Sequence, residues 1–454
     1  MADSATLMTE GSVWRHIVRF AVPIFWGNLF QQLYNIVDSL VVGNFLGTDA
    51  LAAVGSSSSL IFLLVGFFFG VFTGASVVIA RCYGANDEQG VSIAVHTSVA
   101  LGLVAGLVLS ALGVVFSPAL LQLMGTPQSV MPSSITYLRI YFSGLVFVVL
   151  FSTANGVFTA VGDSRHPLYF LMLSSAVNVV LDLLFVPVFG WGVSGAALAT
   201  VISQGLSAAL GFYRLMRSTG AYRLVPRRIR FHLPTLRQVL AMGLPSGVQN
   251  SIIALANVVV QSSINVYGAL AVAGCGTYSK IEGFAFLPIT SCAMALTTFV
   301  GQNLGAEEYA RAKSGARFGI VLTMALAELV GVAFYLAAPF LISLFNADPE
   351  VVRIGTLQAR TITLFYALLA LSHAIAGVMR GAGRAVVPML TMMVCWCIIR
   401  VLYITLVARQ SGNIQLVFWA YPLTWTLSSI VFLCYYFKVD WPYSLEKKLA
   451  NRHA

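Results

Sequence analysis

From residue 17 to residue 438 the chain runs through one apolar stretch after another. Each is about long enough, as a helix, to cross a hydrocarbon core of ~30 Å. Twelve spans can be counted, at 17–45, 50–80, 91–117, 133–161, 167–189, 193–216, 237–264, 270–301, 315–345, 353–380, 387–409 and 413–438. The chain is 58% hydrophobic and 9% charged, with a mean hydropathy of +0.86. A soluble domain carries about 25% charged residues, so this one lacks the polar groups to cover a water-facing surface. The expected fold is an all-α integral membrane protein. The stretch before the first span, "MADSATLMTEGSVWRH", lacks the short apolar core behind a basic start that marks a cleaved signal peptide.

The net charge of +10 would suit nucleic acid, but its distribution points elsewhere. With both termini placed in the cytoplasm, twenty of the 26 Lys and Arg fall in the termini and the even-to-odd connections, seven of them between Arg214 and Arg237. Only Arg139, Lys280, Arg353, Arg360, Arg400 and Arg409 fall elsewhere. This is the positive-inside pattern of a multi-pass protein in the inner, cytoplasmic membrane, and it leaves no role for nucleic acid. The six cysteines sit almost entirely in apolar stretches, and Cys395 and Cys397 point to different helix faces. They read as small apolar filler rather than metal ligands.

The halves of the chain repeat. An offset of 222 pairs Pro23 with Pro245, Asn28 with Asn250 and Asn35 with Asn257. After a one-residue gap, 221 pairs Gly47 with Gly268, "YGA" (83–85) with "LGA" (304–306), Gly162 with Gly383 and Pro167 with Pro388. Six spans per repeat is an even number, so both repeats enter the membrane from the same side. They form two six-helix lobes related by a pseudo-two-fold along the membrane normal. The predicted organisation is a cytoplasmic tail (1–16), an N-lobe (17–216), a basic cytoplasmic loop (217–236), a C-lobe (237–438) and a second cytoplasmic tail (439–454). A cleft between such lobes is a transporter architecture, though channels and membrane enzymes share it.

Four carboxylates fall inside spans: Asp38, Asp182, Glu282 and Glu328. Each costs ~2.5–3.5 kcal/mol to bury at a bilayer centre, which makes a function the default expectation. Asp38 ends a polar stripe, Asn28, Gln31, Asn35 and Asp38, whose steps of three, four and three keep it on one helix face. Asp182 follows Asn178 by one turn. Two such acids can exchange a proton or a small hard cation, or serve as hydrogen-bonded structural groups. Under the repeat their partners are Val260 and Tyr403, so the second half lacks the pair. Glu282, near Lys280, either meets a cationic substrate or pairs with Arg400. Gln31 and Asn35 are expected, with Glu282 and Lys280, to line a substrate cavity. No nucleophile–base set, phosphate loop or metal cluster is evident, so uphill transport would draw on an ion gradient and no cofactor is expected.

The stretches "FAVPIFWGNLFQQLYNIVDSLVVGNFLGTDALAAVG" and "NVVLDLLFVPVFGWGVSGAALATVISQ", with the twice-used "GA" after spans two and eight, resemble the multidrug and toxic compound extrusion (MATE) family. "YSKIEGFAFLPIT" and "VGQNLGA" resemble its bacterial multidrug, DinF-like branch. The resemblance implies secondary active efflux of organic compounds, often cationic, by antiport with protons or sodium ions through alternating access. It implies a cation site in the N-lobe at Asp38, Asn178, Asp182 and Thr200, and a conformational bend at Pro23. The acidic cation ligands that another branch carries in its seventh and tenth helices have no counterpart here. The expected partners are small organic substrates and the lipid bilayer, and the expected state is a monomer. The alternatives are a flippase for a lipid-linked precursor, which would need a more basic cavity than Lys280, Arg380 and Arg400 supply, and an integral-membrane enzyme.

Overall fold

A computed structural model describes residues 5–443. The tail beyond Tyr443, with Lys447, Lys448 and Arg452, and the Arg409 side chain lie outside the described residues. All the regular structure of the described chain is helical, without a strand, because in hydrocarbon a helix satisfies its backbone groups within one segment. The first helical run, Val13–Gly84, is broken at Gly47 (φ 83°, ψ −173°). It therefore counts as two helices, α1 (13–46) and α2 (48–84). The rest follow as α3 (Glu88–Leu123), α4 (Met131–Ser143 and Leu145–Ala160, bent by 44°), α5 (Arg165–Val188), α6 (Gly192–Arg217), α7 (Leu233–Asn265), α8 (Ala269–Gly305), α9 (Tyr309–Ser343), α10 (Pro349–Gly381), α11 (Val386–Ala408) and α12 (Ile414–Lys438). Each of these except α1 is long and apolar enough to span a membrane. In α1 the stripe of Asn28, Gln31, Gln32, Asn35 and Asp38 dilutes the apolar content.

The repeat seen in sequence recurs in the backbone. Left-handed residues stand 221 apart at Gly47 (φ 83°) and Gly268 (φ 91°), at Asn86 (φ 53°) and Glu307 (φ 61°), and at Gly162 (φ 80°) and Gly383 (φ 70°). Such torsions are strained for residues with a Cβ, so their recurrence marks one scaffold used twice. The break of α4 at Gly144 has its counterpart in the 3-10 turn Thr363–Phe365 of α10, where the Glu328 carboxylate accepts the Ala367 N–H at 3.1 Å. Both α5 and α11 close with π-helical turns, Leu184–Val188 and Ile404–Ala408, a local widening that often accompanies functional sites.

The compact units differ from the lobes expected from sequence. One comprises Met1–Leu7 and Trp26–Gly247, the other Met8–Phe25 and Val248–Ala454. The chain passes from one to the other two residues after Pro23 and again two residues after Pro245. Each repeat's first helix thus gives its first half to one unit and its second half to the other. Ile17, Phe20 and Ala21 belong to the core of the second unit, with Ala256, Tyr278 and Leu296. Val239 belongs to a core of the first, with Val78, Val91 and Phe158. The physical reason lies in small residues. A Cβ on Gly70 would overlap the backbone of Gly247, and one on Gly74 that of Gly243. These two four-residue glycine pairs let α2 and the start of α7 cross at backbone contact, the close approach on which helix association in lipid depends.

Candidate coupling site

The site predicted in the first half is assembled within the first unit by α1, α4, α5 and α6. Asn178 and Asp182 lie one turn apart on α5, at 1% and 0% exposure, and Thr200 of α6 is at 5%. Asp38, four turns beyond Pro23 on α1, is half-buried with its Oδ1 enclosed. Its carboxyl group is an electrostatic neighbour of that of Asp182. Among the described residues, neither Asp182 oxygen, nor Asp38 Oδ1, nor either polar atom of the Asn178 amide has a hydrogen-bond partner. The Thr200 hydroxyl donates to the Ala196 carbonyl at 3.1 Å, which leaves its lone pairs available.

Buried polar atoms are nearly always satisfied, and carboxylates this close repel one another in a dry site. The cluster is therefore incomplete as protein alone. A proton shared between the acids resolves the repulsion, and so does a small hard cation held by Asp38, Asp182, the Asn178 carbonyl and Thr200. All are oxygen ligands of the kind such cations prefer. Among the described residues, no group of three or more His, Cys, Asp and Glu forms a site for a transition metal.

Three tyrosines that the sequence reading did not single out enclose the acids. The Tyr34 hydroxyl lies beside Thr200 and both carboxyls, and Tyr137 and Tyr141 close the site from α4 with rings stacked at 6.5 Å. Their signal was available in the spacing. Tyr34 precedes Asp38 by four residues, and Tyr137 precedes Tyr141 by four, so each pair shares a helix face. A narrow crevice leads to Asn178, lined by Gln31, Tyr34, Leu171, Ser174, Ser203 and Gln204 among others. Gln31 is thus at the mouth of the site. Asn35 is exposed, and its carbonyl accepts from the Ser39 hydroxyl at 2.9 Å.

Glu282 and Lys280 lie in the second unit, on α8. The Tyr278 hydroxyl donates to Glu282 Oε1 at 3.2 Å and is itself 2.9 Å from the Tyr366 hydroxyl. Arg400 is an electrostatic neighbour of Glu282 without a direct ion pair. Lys280 is exposed, with its ammonium 5.8 Å from the centre of the Phe345 ring. His96 and His373 are packed: His96 bonds the Ser92 carbonyl at 2.6 Å and accepts from Val225 N–H at 3.1 Å, and His373 sits edge-on to Phe286.

Comparison with known proteins bears on the family and the fold. The MatE family model matches twice, over residues 23–184 and 245–406, one copy in each half. The chain is 30% identical over 437 residues to "Probable multidrug resistance protein YoeA" of Bacillus subtilis, covering 94% of each chain. It is 28% identical over 405 residues to "Probable multidrug resistance protein YpnP" of the same organism, covering 89% of this chain and 91% of the relative. A solved MATE structure in complex with MaL6 shares the fold at a TM-score of 0.91 and 23% identity, covering 98% of this chain and all of the other. With two MatE copies spanning most of its length and the same twelve-helix scaffold, this chain belongs to the MATE family of membrane transporters.

Proposed function

We propose that this transporter exports small organic compounds, cationic or amphipathic, by antiport with protons or sodium ions, and that Asp38 and Asp182 carry the coupling. The observation behind this reading is the enclosed acid pair, with the Asn178 and Asp182 side chains left without a hydrogen-bond partner among the described residues at full burial. Relatives named for multidrug resistance support the substrate class. One occupant, proton or cation, satisfies the pair and removes its repulsion. A conformation that separates the acids or opens them to water releases that occupant. A ligand shifts such an equilibrium only through its different affinity for the two states, so the export step follows if substrate prefers the state that has released the ion.

Pro23 lacks the backbone donor that would stiffen α1, and the chain changes units two residues later. It is the point at which α1 bends when Asp38 changes occupancy. The positive-inside pattern orients both termini to the cytoplasm of a cell whose inner membrane holds the chain as a monomer. No cofactor takes part beyond the coupling ion.

The test is Asp38→Asn in proteoliposomes under an imposed proton or sodium gradient. Gradient-driven efflux is lost, by about tenfold or more, while thermal melting in detergent stays close to wild type. Undiminished efflux in that variant removes Asp38 from the mechanism.

A further inference from the structure

The repeat allows the second unit to be inspected at the positions that build the site in the first. Along the offset of 221, Thr200 corresponds to Tyr421, Ser203 of the crevice to Thr424, and Val179, next to Asn178, to Arg400. These three second-half residues are in contact. Arg400 Nη2 donates to Thr424 Oγ1 at 2.9 Å and Nε to the same oxygen at 3.3 Å. The guanidinium lies 4.4 Å from the centre of the Tyr421 ring and 5.8 Å from that of Trp396. Arg400 is 2% exposed, yet these bonds engage only one face of its donor fork. The positions of Tyr34 and Asp38 are taken by Ala256 and Val260, which removes the acid that would bind a mobile ion.

We propose that Arg400 is a built-in cation: its guanidinium permanently fills in the second repeat the place that the first repeat keeps for an exchangeable ion, with Glu282 as its counter-charge. The inference rests on the reading of Asp38 and Asp182 as the coupling pair. An arginine suits a permanent occupant, since it keeps its proton at any physiological pH and stacks on aromatic faces. Glu282 is held by the chain Tyr366–Tyr278–Glu282, with Tyr278 donating to the carboxylate. Among the described residues, the other titratable neighbours of Arg400 are Tyr421 and Cys397, with Cys275 beside Tyr421. None of these carries a second positive charge. An anion-binding role for Arg400 would require its fork to face open space, whereas its flat face is covered by Tyr421 and its edge bonds Thr424. The consequence is that the two structurally equivalent halves are functionally unequal, and ion exchange takes place in the first alone.

The test counts exchangeable ions per chain in the purified full-length protein, as bound radioactive sodium and, in parallel, as protons released on unfolding-free titration. Asp38→Asn lowers the count. Glu282→Gln and Arg400→Lys leave it at the wild-type value. Arg400→Gln exposes Glu282 and adds one ion, and the double variant Arg400→Gln/Glu282→Gln returns to wild type. A lower count in Glu282→Gln, or an unchanged one in folded Arg400→Gln, overturns the proposal. Should Arg400→Gln fail to fold, the Glu282→Gln count decides alone. Retention of the ion in Asp38→Asn would refute the first-repeat coupling site instead, whatever the Arg400 variants do.

Discussion

The two repeats share a backbone pattern but differ in the charges they place on it. In each, a left-handed glycine opens the second helix, one left-handed non-glycine residue follows that helix, a second left-handed glycine precedes the fifth, and a π-turn closes it. Onto this common frame the first repeat places two facing carboxylates and an unpartnered amide, and the second an arginine stacked on a tyrosine. A site with unsatisfied buried groups is incomplete without a ligand. A site whose charge is supplied by a tethered side chain is complete as folded. On the proposed reading, duplicated scaffolds separate tasks: one copy keeps an unsatisfied cluster for an exchangeable ion, and the other carries its cation on a tethered side chain.

The difference can be broken most directly at Asp182. Asp182→Asn removes one of the two acids while keeping shape, and efflux driven by an ion gradient falls by about tenfold or more in proteoliposomes with little change in melting temperature. In the second repeat the sign is reversed, because stability suffers and coupling does not. Tyr278→Phe takes away the hydroxyl that, among the described residues, donates to Glu282. A buried acceptor left unsatisfied costs about 1–3 kcal/mol, seen as a lower melting temperature while ions moved per substrate stay at the wild-type ratio. A changed ratio would tie the second repeat to the coupling step.

The shared frame supplies smaller effects that sharpen the comparison. Gly162→Ala and Gly383→Ala each force an alanine into left-handed torsions at about 1–2 kcal/mol. The two losses in thermal stability should agree, and a large disparity would show that the frame is not equally loaded in both halves. The smallest change expected is a gain. Glu307 occupies a left-handed position that Asn86 fills in the first repeat, and asparagine tolerates those torsions better than glutamate. Glu307→Asn should stabilise by under about 1 kcal/mol, read as a small rise in melting temperature. A fall would mean that the exposed Glu307 side chain makes an interaction worth more than its backbone strain.

Much of this was legible in the residues. Spans, repeat and acid pair followed from hydropathy, a constant offset and the rarity of carboxylates in lipid. Spacing set Asn178 one turn from Asp182, but its role as a ligand, and Thr200 altogether, came through the family resemblance, since a lone Asn or Thr in a helix has many uses. The exchange of half-helices between units was not foreseen, because the basic loop at 217–236 marks where the chain leaves the membrane rather than which helices pack together. Its signal was present in the glycines of "GVFTG" (70–74) and "GLPSG" (243–247), but a four-residue glycine spacing names no partner. The Glu282–Arg400 relation was posed as either a substrate contact or an ion pair, and the side chains instead sit as neighbours, each held by its own hydroxyl.

What the sequence by itself determined is the class of solution. With so few charges and so many apolar stretches, the chain must satisfy its backbone within each segment, so helices of membrane-spanning length follow, and duplication fixes how many and in what sense they run. Only the tertiary structure decided which faces meet. Asp38 and Asp182 are far apart along the chain, as are Arg400 and Tyr421 from Glu282, and their encounters depend on helix rotation, tilt and the depth at which glycines let backbones touch. Those are properties of packing, to which a helical repeat of 3.6 residues assigns a face but never a partner.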